Sequence, residues 1–319
     1  KAIISQKEIL EIDSTNLRAM RSLEDLYGRT AQAEPYLQIL EAQLDVVATD
    51  DDRISVYERI AQAWENLFKK PEKGSETYEK ILSIDERHTP SLKQLERLYR
   101  LQQKWAELVD TYRRHIMAVP DAGDRMALYA LMGEVYESEI KDLDRAVEAY
   151  ADILSFDPNH QQALGALGRL YEKVEDWSKA VDTLSHLVSL VSDRTKQVEL
   201  HTRIGALYED RLQDQDTAEG RYLEALRIDG NYVPVLLKLI ALYKGRGDWL
   251  KAVQHMIRCE EQLTNPKEKV NMLFEIGTIF RERLDDEQKG AEFLARVIAL
   301  DPEHVGAAEP LSYVYFAQQ

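Results

Sequence analysis

Between Asp157 and Val188 the apolar positions fall into two stripes. Leu164, Leu167, Gly168 and Tyr171 share one helical face, and after the polar break Glu175-Asp176, Ala180, Leu184 and Leu187 share another. Spacing of three and four residues marks two amphipathic helices joined by a short turn. Such a hairpin cannot bury both stripes alone, so it needs neighbours.

The rest of the chain supplies them. The aromatic at Tyr171 recurs as Tyr27, Trp64, Tyr99, Tyr136, Tyr208, Tyr243, Phe280 and Tyr315, with gaps that alternate 37 and 35. Asp13, Asp85, Asp157, Asp229 and Asp301 are 72 apart, as are Trp105, Trp177 and Trp249, with Ala33 in the first pair. The repeating unit is therefore a pair of hairpins, and self-similarity at this scale predicts a solenoid. Residues 1–12 align with a second helix only. Eight hairpins follow over 14–301, and 302–319 reads as a first helix without its second. Eighteen helices are expected, in one domain covering 1–319. Neither end carries a polar cap, so the sequence reads as an excerpt of a longer array.

Even hairpins hold one more residue in the turn, where Asp142, Asp214 and Asp286 are 72 apart. Asp144 and Asp216 are expected to be helix N-caps there. The longer joints from odd to even hairpins (ATDDDR at Ala48, PDAGDR at Pro120, VSDRTK at Val191, TNPKEK at Thr264) read as turns.

These residues resemble the tetratricopeptide repeat (TPR) family, in a bacterial style. Its pattern is met by Leu164, Leu167-Gly168, Tyr171, Ala180 and Leu184, and again by Met132-Gly133, Tyr136, Ala146 and Tyr150. Ile204-Gly205, Tyr208, Ala218 and Tyr222 repeat it, as do Ile276-Gly277, Phe280, Gly290 and Leu294. The small residue after the leucine becomes Glu24, Glu96 and Ile240, and that of the second helix Tyr36 or Leu108, so those hairpins should pack less closely. The resemblance implies an all-α, right-handed superhelical solenoid whose first helices line a concave groove.

Composition narrows the function. A net charge of -16 argues against a nucleic-acid partner. No apolar run reaches the length of a membrane helix. Cys259, the single cysteine, reads as a buried apolar residue and leaves no disulfide framework. A calcium loop in the acidic turns lacks its glycine and closing glutamate. His88, His160 and His304 share one repeat position and stand too far apart to share a metal. Trp105, Trp177 and Trp249 could stack bases, but their register and the acidity favour packing on the next hairpin. Gly247 reads as a helix-ending glycine. No cofactor or catalytic motif is expected.

Carried over by register, the odd first helices present Arg18, Arg21, Asp25, Arg29, Lys93, Arg97, Arg100, Arg169, Glu172, Lys173 and Lys244 to the groove. The even ones present Glu58, Glu65, Glu134, Glu137, Glu199, Glu209, Asp210, Arg281 and Glu282. Either the groove is striped with alternating charge for an extended partner, or adjacent first helices pair with each other. The paired asparagines of the family's carboxylate clamp are missing, with Arg97, Glu134 and Arg169 in their places. The expected function is a non-catalytic scaffold that binds a protein or peptide at Lys93, Arg97, Arg100, Glu134, Glu137, Arg169 and Lys173. Alternatives are a regulatory or substrate-recruiting arm of a larger enzyme, or a spacer in a large assembly. The expected compartment is the cytoplasm, or the periplasm or another envelope compartment if a signal was removed.

Overall fold

A computed structural model describes residues 1–317, and side chains as far as residue 311. Among the described residues there are eighteen α-helices and no strand. A single helix α1 (Ala2–Ile12) precedes α2 (Leu17–Arg29) and α3 (Ala33–Leu44), the first hairpin. The next hairpins are α4 (Asp50–Asn66) with α5 (Pro71–Ile84), α6 (Thr89–Leu101) with α7 (Trp105–Ala118), and α8 (Ala122–Val135) with α9 (Leu143–Phe156). Then come α10 (Gln161–Lys173) with α11 (Trp177–Leu190), and α12 (Arg194–Asp210) with α13 (Gln215–Ile228). The last pair is α14 (Val233–Arg246) with α15 (Trp249–Gln262), and α16 (Pro266–Glu282) with α17 (Glu287–Leu300), before α18 (Val305–Ala317). The chain forms two compact units, Lys1–Ala163 and Leu164–Gln319, and the division falls inside α10. The side chain of Tyr315, last of the aromatic series, lies outside the described residues.

Each corner between paired helices is built on the aromatic series. The carbonyl of Tyr27, Tyr99, Tyr171 or Tyr243 accepts the N–H of the residue five further on, the N-cap of the second helix. In even hairpins Trp64, Tyr136, Tyr208 and Phe280 accept from the sixth residue, which absorbs the extra one. After Tyr136 the extra residue is taken up in a π-helical turn, Tyr136–Ile140. One residue per corner adopts the left-handed conformation: Ala31, Lys69, Gln103, Lys141, Glu175, Gln213, Gly247 and Asp285. Only Gly247 is the glycine that such a position favours.

Asp142, Asp214 and Asp286 cap the second helices of even hairpins, accepting from Arg145, Thr217 and Lys289. Asp144 and Asp216, the expected caps, instead stand two residues inside the first turn. The reason is the corner bond, which fixes the residue before each helix as its cap. The odd-to-even joints also differ from expectation. They are an added helical turn rather than a loop, because Thr49, Asp121, Asp193 and Asn265 each cap the following helix. Helices α4, α12 and α16 are thereby 17 residues long, against 13 for α2, α6 and α10.

The 72-residue aspartates make the joint between pairs. Asp13, Asp85, Asp157, Asp229 and Asp301 leave the preceding helix with extended backbone. Each carboxylate then accepts the N–H two residues on. The following residue caps the next helix, and here the histidines find their role. The Nδ1 atoms of His160 and His304 accept from Ala163 and Ala307, and that of His88 meets Ser91 Oγ at 2.9 Å.

Packing follows the small-residue positions. A Cβ at Gly205 would stand 2.5 Å from the Tyr222 ring, so glycine is needed for this close approach. Gly133, Gly168 and Gly277 make the same room for Tyr150, Leu184 and Leu294. Where glutamate replaces the small residue, a buried polar pair forms instead. Glu24 accepts from Gln43 Nε2 at 2.9 Å, and Glu96 meets His115 Nδ1 at 2.5 Å. Burial pushes the Glu96 carboxyl up from its ordinary value. The hairpins α2 with α3 and α6 with α7 approach over less backbone than the even hairpins, whereas α14 with α15, which carries Ile240, approaches as closely as α8 with α9. Solvent is still excluded, since Leu40, Tyr112 and Met256 are buried. Cys259 is buried, and Trp177 and Trp249 pack on the next hairpin beneath Arg211 and Arg283, 4.8 and 5.1 Å from the ring centroids.

A candidate binding face on the first helices

The seven residues expected to bind a partner divide between the units. Lys93, Arg97 and Arg100 lie on α6, Glu134 lies in the last turn of α8, and Glu137 sits in the π-helical turn, all in the first unit. Arg169 and Lys173 are exposed on α10 in the second.

Arg97 is committed inside the molecule: its guanidinium donates to Glu65 of α4. Glu65 is held from below as well, by the hydroxyl of Tyr78. Burial, with Glu65 adding, pushes that hydroxyl up to about 12. Glu209 repeats the arrangement 72 residues on from Glu137, accepting from Tyr222 at 2.7 Å and from Lys238 at 3.0 Å. Glu65, Glu137 and Glu209 share one register position. At Glu65 and at Glu209 the carboxylate joins a tyrosine of its own hairpin to a cation of the next.

A second series of cross-helix contacts has a fixed offset of 31 residues. Glu172 accepts from Arg203 at 2.6 Å, linking α10 to α12. Seventy-two residues later the signs are exchanged, and Lys244 donates to Glu275, linking α14 to α16. Charge exchange at one register position is what mutual pairing requires, and what a fixed ligand pattern would not tolerate. The pairing alternative for these charges is thus the one seen within each unit. In the first unit the same two rungs are incomplete. By the same offset Arg100 meets Leu131, and Gly28 meets Arg59. Arg100 turns to the hydroxyl of buried Tyr112 at 2.7 Å, and Arg59 to Glu24 at 2.5–2.6 Å.

Some cations on the first helices of the first unit make no ion pair. Among the described residues Arg18 and Lys93 are exposed and make no ion pair, and Arg21 is 60% exposed, with Asp52 only at 3.9 Å. Open clefts run beside them. One of about 370 Å³ lies between α4 and α6, with Glu58, Gln62 and Lys93 on its walls. Two more adjoin at Gly28, about 610 and 260 Å³ in volume. The Gly28 clefts are absent from the sequence reading, which followed charged groove positions and so passed over a missing side chain. The available signal was register: position 28 corresponds to Arg100, Glu172 and Lys244. Among the described residues no cluster of histidine, cysteine and carboxylate side chains could hold a metal, and no helix is long and apolar enough to cross a membrane.

This architecture is that of a helical-hairpin repeat protein. The chain carries tetratricopeptide repeats where family models for that repeat match it, at residues 91–126, 127–160 and 163–198. The fold is one of protein–protein interaction and is generally non-catalytic. Solved structures similar to it include YrrB, described as a TPR protein with an unusual peptide-binding site, at 16% identity and TM-score 0.40, covering 63% of this chain and 97% of that one. Another is the C-terminal part of a TPR repeat-containing protein from Cytophaga hutchinsonii, at 14% identity and TM-score 0.45, covering 79% and 98%. A third is a tetratricopeptide repeat protein from Parabacteroides merdae, at 13% identity and TM-score 0.37, covering 81% and 97%. A comparison with curated proteins found no match.

Proposed function

We propose that this protein is a non-catalytic scaffold that holds an extended segment of a protein partner on its first helices, chiefly α2, α4 and α6. The observation that carries the reading is the open pair of rungs in the first unit. Arg100 has no acidic partner on the neighbouring helix, and Lys93 has none at all, beside a cleft wide enough for side chains. An acidic side chain of a partner would complete what Leu131 leaves open. Arginine suits that role because its planar fork can hold a carboxylate through two hydrogen bonds. Arg97 and Glu65 serve as the frame of the site rather than as its contacts. Within the first unit Glu134 and Glu137 continue the face, and in the second Arg169 and Lys173 stand on the first helix α10.

The test is to capture a partner with the full chain, then measure its affinity for Lys93→Glu/Arg100→Glu. Binding should fall about tenfold or more, and the salt dependence should weaken, because solvated charges are screened within about 10 Å at 0.1 M salt. Unchanged affinity and salt dependence with helicity intact would remove this face as the binding site.

A further inference from the structure

We propose that Gly28 keeps open a specificity pocket, which takes an apolar or aromatic side chain next to an acidic residue in a partner's extended segment. This rests on the scaffold reading above and names the chemistry that one part of the face selects.

The first argument is what the glycine does not do. Gly28 lies within α2, is exposed, and has no left-handed backbone. Glycine inside a helix is destabilising relative to alanine, so it calls for a cause. At Gly133, Gly168, Gly205 and Gly277 the cause is packing, since a Cβ would meet a neighbouring side chain at 2.5–2.9 Å. At Gly28 a Cβ would only touch the Tyr36 ring at 3.6 Å, an ordinary contact. Packing therefore does not require glycine here. Its register partners are the long side chains Arg100, Glu172 and Lys244, so Gly28 leaves space where each of the other three pairs carries a long side chain.

The second argument is what fills the walls. The smaller cleft has Tyr27, Tyr36 and Ala63 along it, with Leu67 at its mouth, 46% exposed. That is an aromatic and aliphatic slot, open to solvent and suited to a large apolar side chain. Gln62 and Asn66 stand on its α4 wall, where amide groups can pair with a peptide backbone. The larger cleft shares Gly28, Tyr36 and Arg59 and is lined as well by Arg21, Arg29, Glu24 and Asp25, with Asp25 holding Arg29 and Glu24 holding Arg59. Arg21 is the cation there with no close acidic partner, in a chain of net charge -16. An acidic residue adjacent to the apolar one would meet it.

An array of immobilised octapeptides, randomised at two adjacent central positions, tests this against the full chain. Peptides that join Asp or Glu to Phe, Tyr, Leu or Met should be retained best. Gly28→Gln, which fills the slot with a good helix former, should weaken them about tenfold or more. Gly28→Ala, whose methyl fits, should retain them. Thermal melts of both variants at or above the parent's keep a loss of binding distinct from a loss of fold. If no octapeptide class is retained, or if Gly28→Gln binds as the parent does, the pocket is refuted. If peptides bind and are lost only with Lys93→Glu/Arg100→Glu, the pocket fails while the scaffold reading stands.

Discussion

The two units answer the same structural question differently. In the second, Glu172 with Arg203 and Lys244 with Glu275 close both rungs at one register position, with signs exchanged. Its second helices all begin at a capping aspartate: Asp176, Asp214, Asp248 and Asp286. In the first unit the rungs fall on Leu131 and Gly28, and α3, α5 and α7 begin at Gln32, Lys70 and Lys104, none of which caps with its side chain. The comparison teaches that the repeat tolerates either solution. Where the polar positions satisfy one another the repeat serves stability, and where they are left open it can serve recognition.

The contrast can be broken in several places. The largest effect is expected from Tyr222→Ala, which removes a fully buried ring and leaves Glu209 without its hydroxyl, at a cost of about 3–5 kcal/mol. Half-buried Tyr36→Ala should cost clearly less, and hydrogen exchange should place each loss in the hairpins around the substitution. Next comes the pair of glycines. Gly205→Ala should destabilise by about 1–3 kcal/mol through overpacking against Tyr222, whereas Gly28→Ala should stabilise by about 0.5–1 kcal/mol. Urea melts that moved both in one direction would show that Gly28 is a packing glycine after all.

Helix starts give a smaller difference. Asp248→Ala should cost about 1 kcal/mol, and Lys104→Asp should gain about as much, read by thermal unfolding. The rungs themselves are worth less, because their partners are roughly a third exposed. Reversing Lys244 or Glu275 alone should cost about 0–1 kcal/mol, and reversing both should restore it in a double-mutant cycle. Leu131→Glu would install the missing rung opposite Arg100 and is expected to weaken partner binding. Because Leu131 is only half-buried, the stability lost with its apolar surface should stay within about 1 kcal/mol.

A last distinction is in pH. Burial lowers the pKa of His201 and of His255, both in the second unit. Between the folded and unfolded values the unfolded chain binds more protons, so stability is full above the ordinary value of 6.5 and is lost as pH falls through it. Glu96 in the first unit acts with the opposite sign: burial raises its carboxyl, so its contribution is largest below 4.5 and declines as pH rises from there. Hydrogen exchange at pH 7.5 and 5.5 should show loss of protection around α12 and α15, flattened by His201→Gln/His255→Gln.

Much of this was open to reading in the sequence, for one reason: every corner and joint recurs with its own residue. Tyr171 and its equivalents, and Asp157 and its equivalents, stand out because a backbone hydrogen bond falls at the same place each time. The left-handed corners stayed hidden because seven of the eight are not glycine. The helical turn at Asp50–Asp52 looked like a loop, since acidic residues suit both a turn and the first turn of a helix. Charge on the first helices could be read residue by residue, while its role stayed open between a ligand and a neighbouring helix. Whether Arg97 faces a ligand or Glu65 depends on side-chain reach between helices, which spacing along one helix does not encode.

The aspartate joint has a consequence for how such a chain can be edited. At Asp157 and at Asp229 the same carboxylate bond and the same extended backbone end one pair and open the next. Excising residues 158–229 would therefore splice Asp157 onto Gly230 through chemistry already present at that seam. The shortened chain should keep its helical content per residue. A cut half a period long, from 123 to 158, would instead splice an even-type start onto an odd-type hairpin and leave Asp121 without the N–H of Asp124 that it now accepts. The natural module for duplication or deletion is the pair, and its boundary is marked by a single carboxylate.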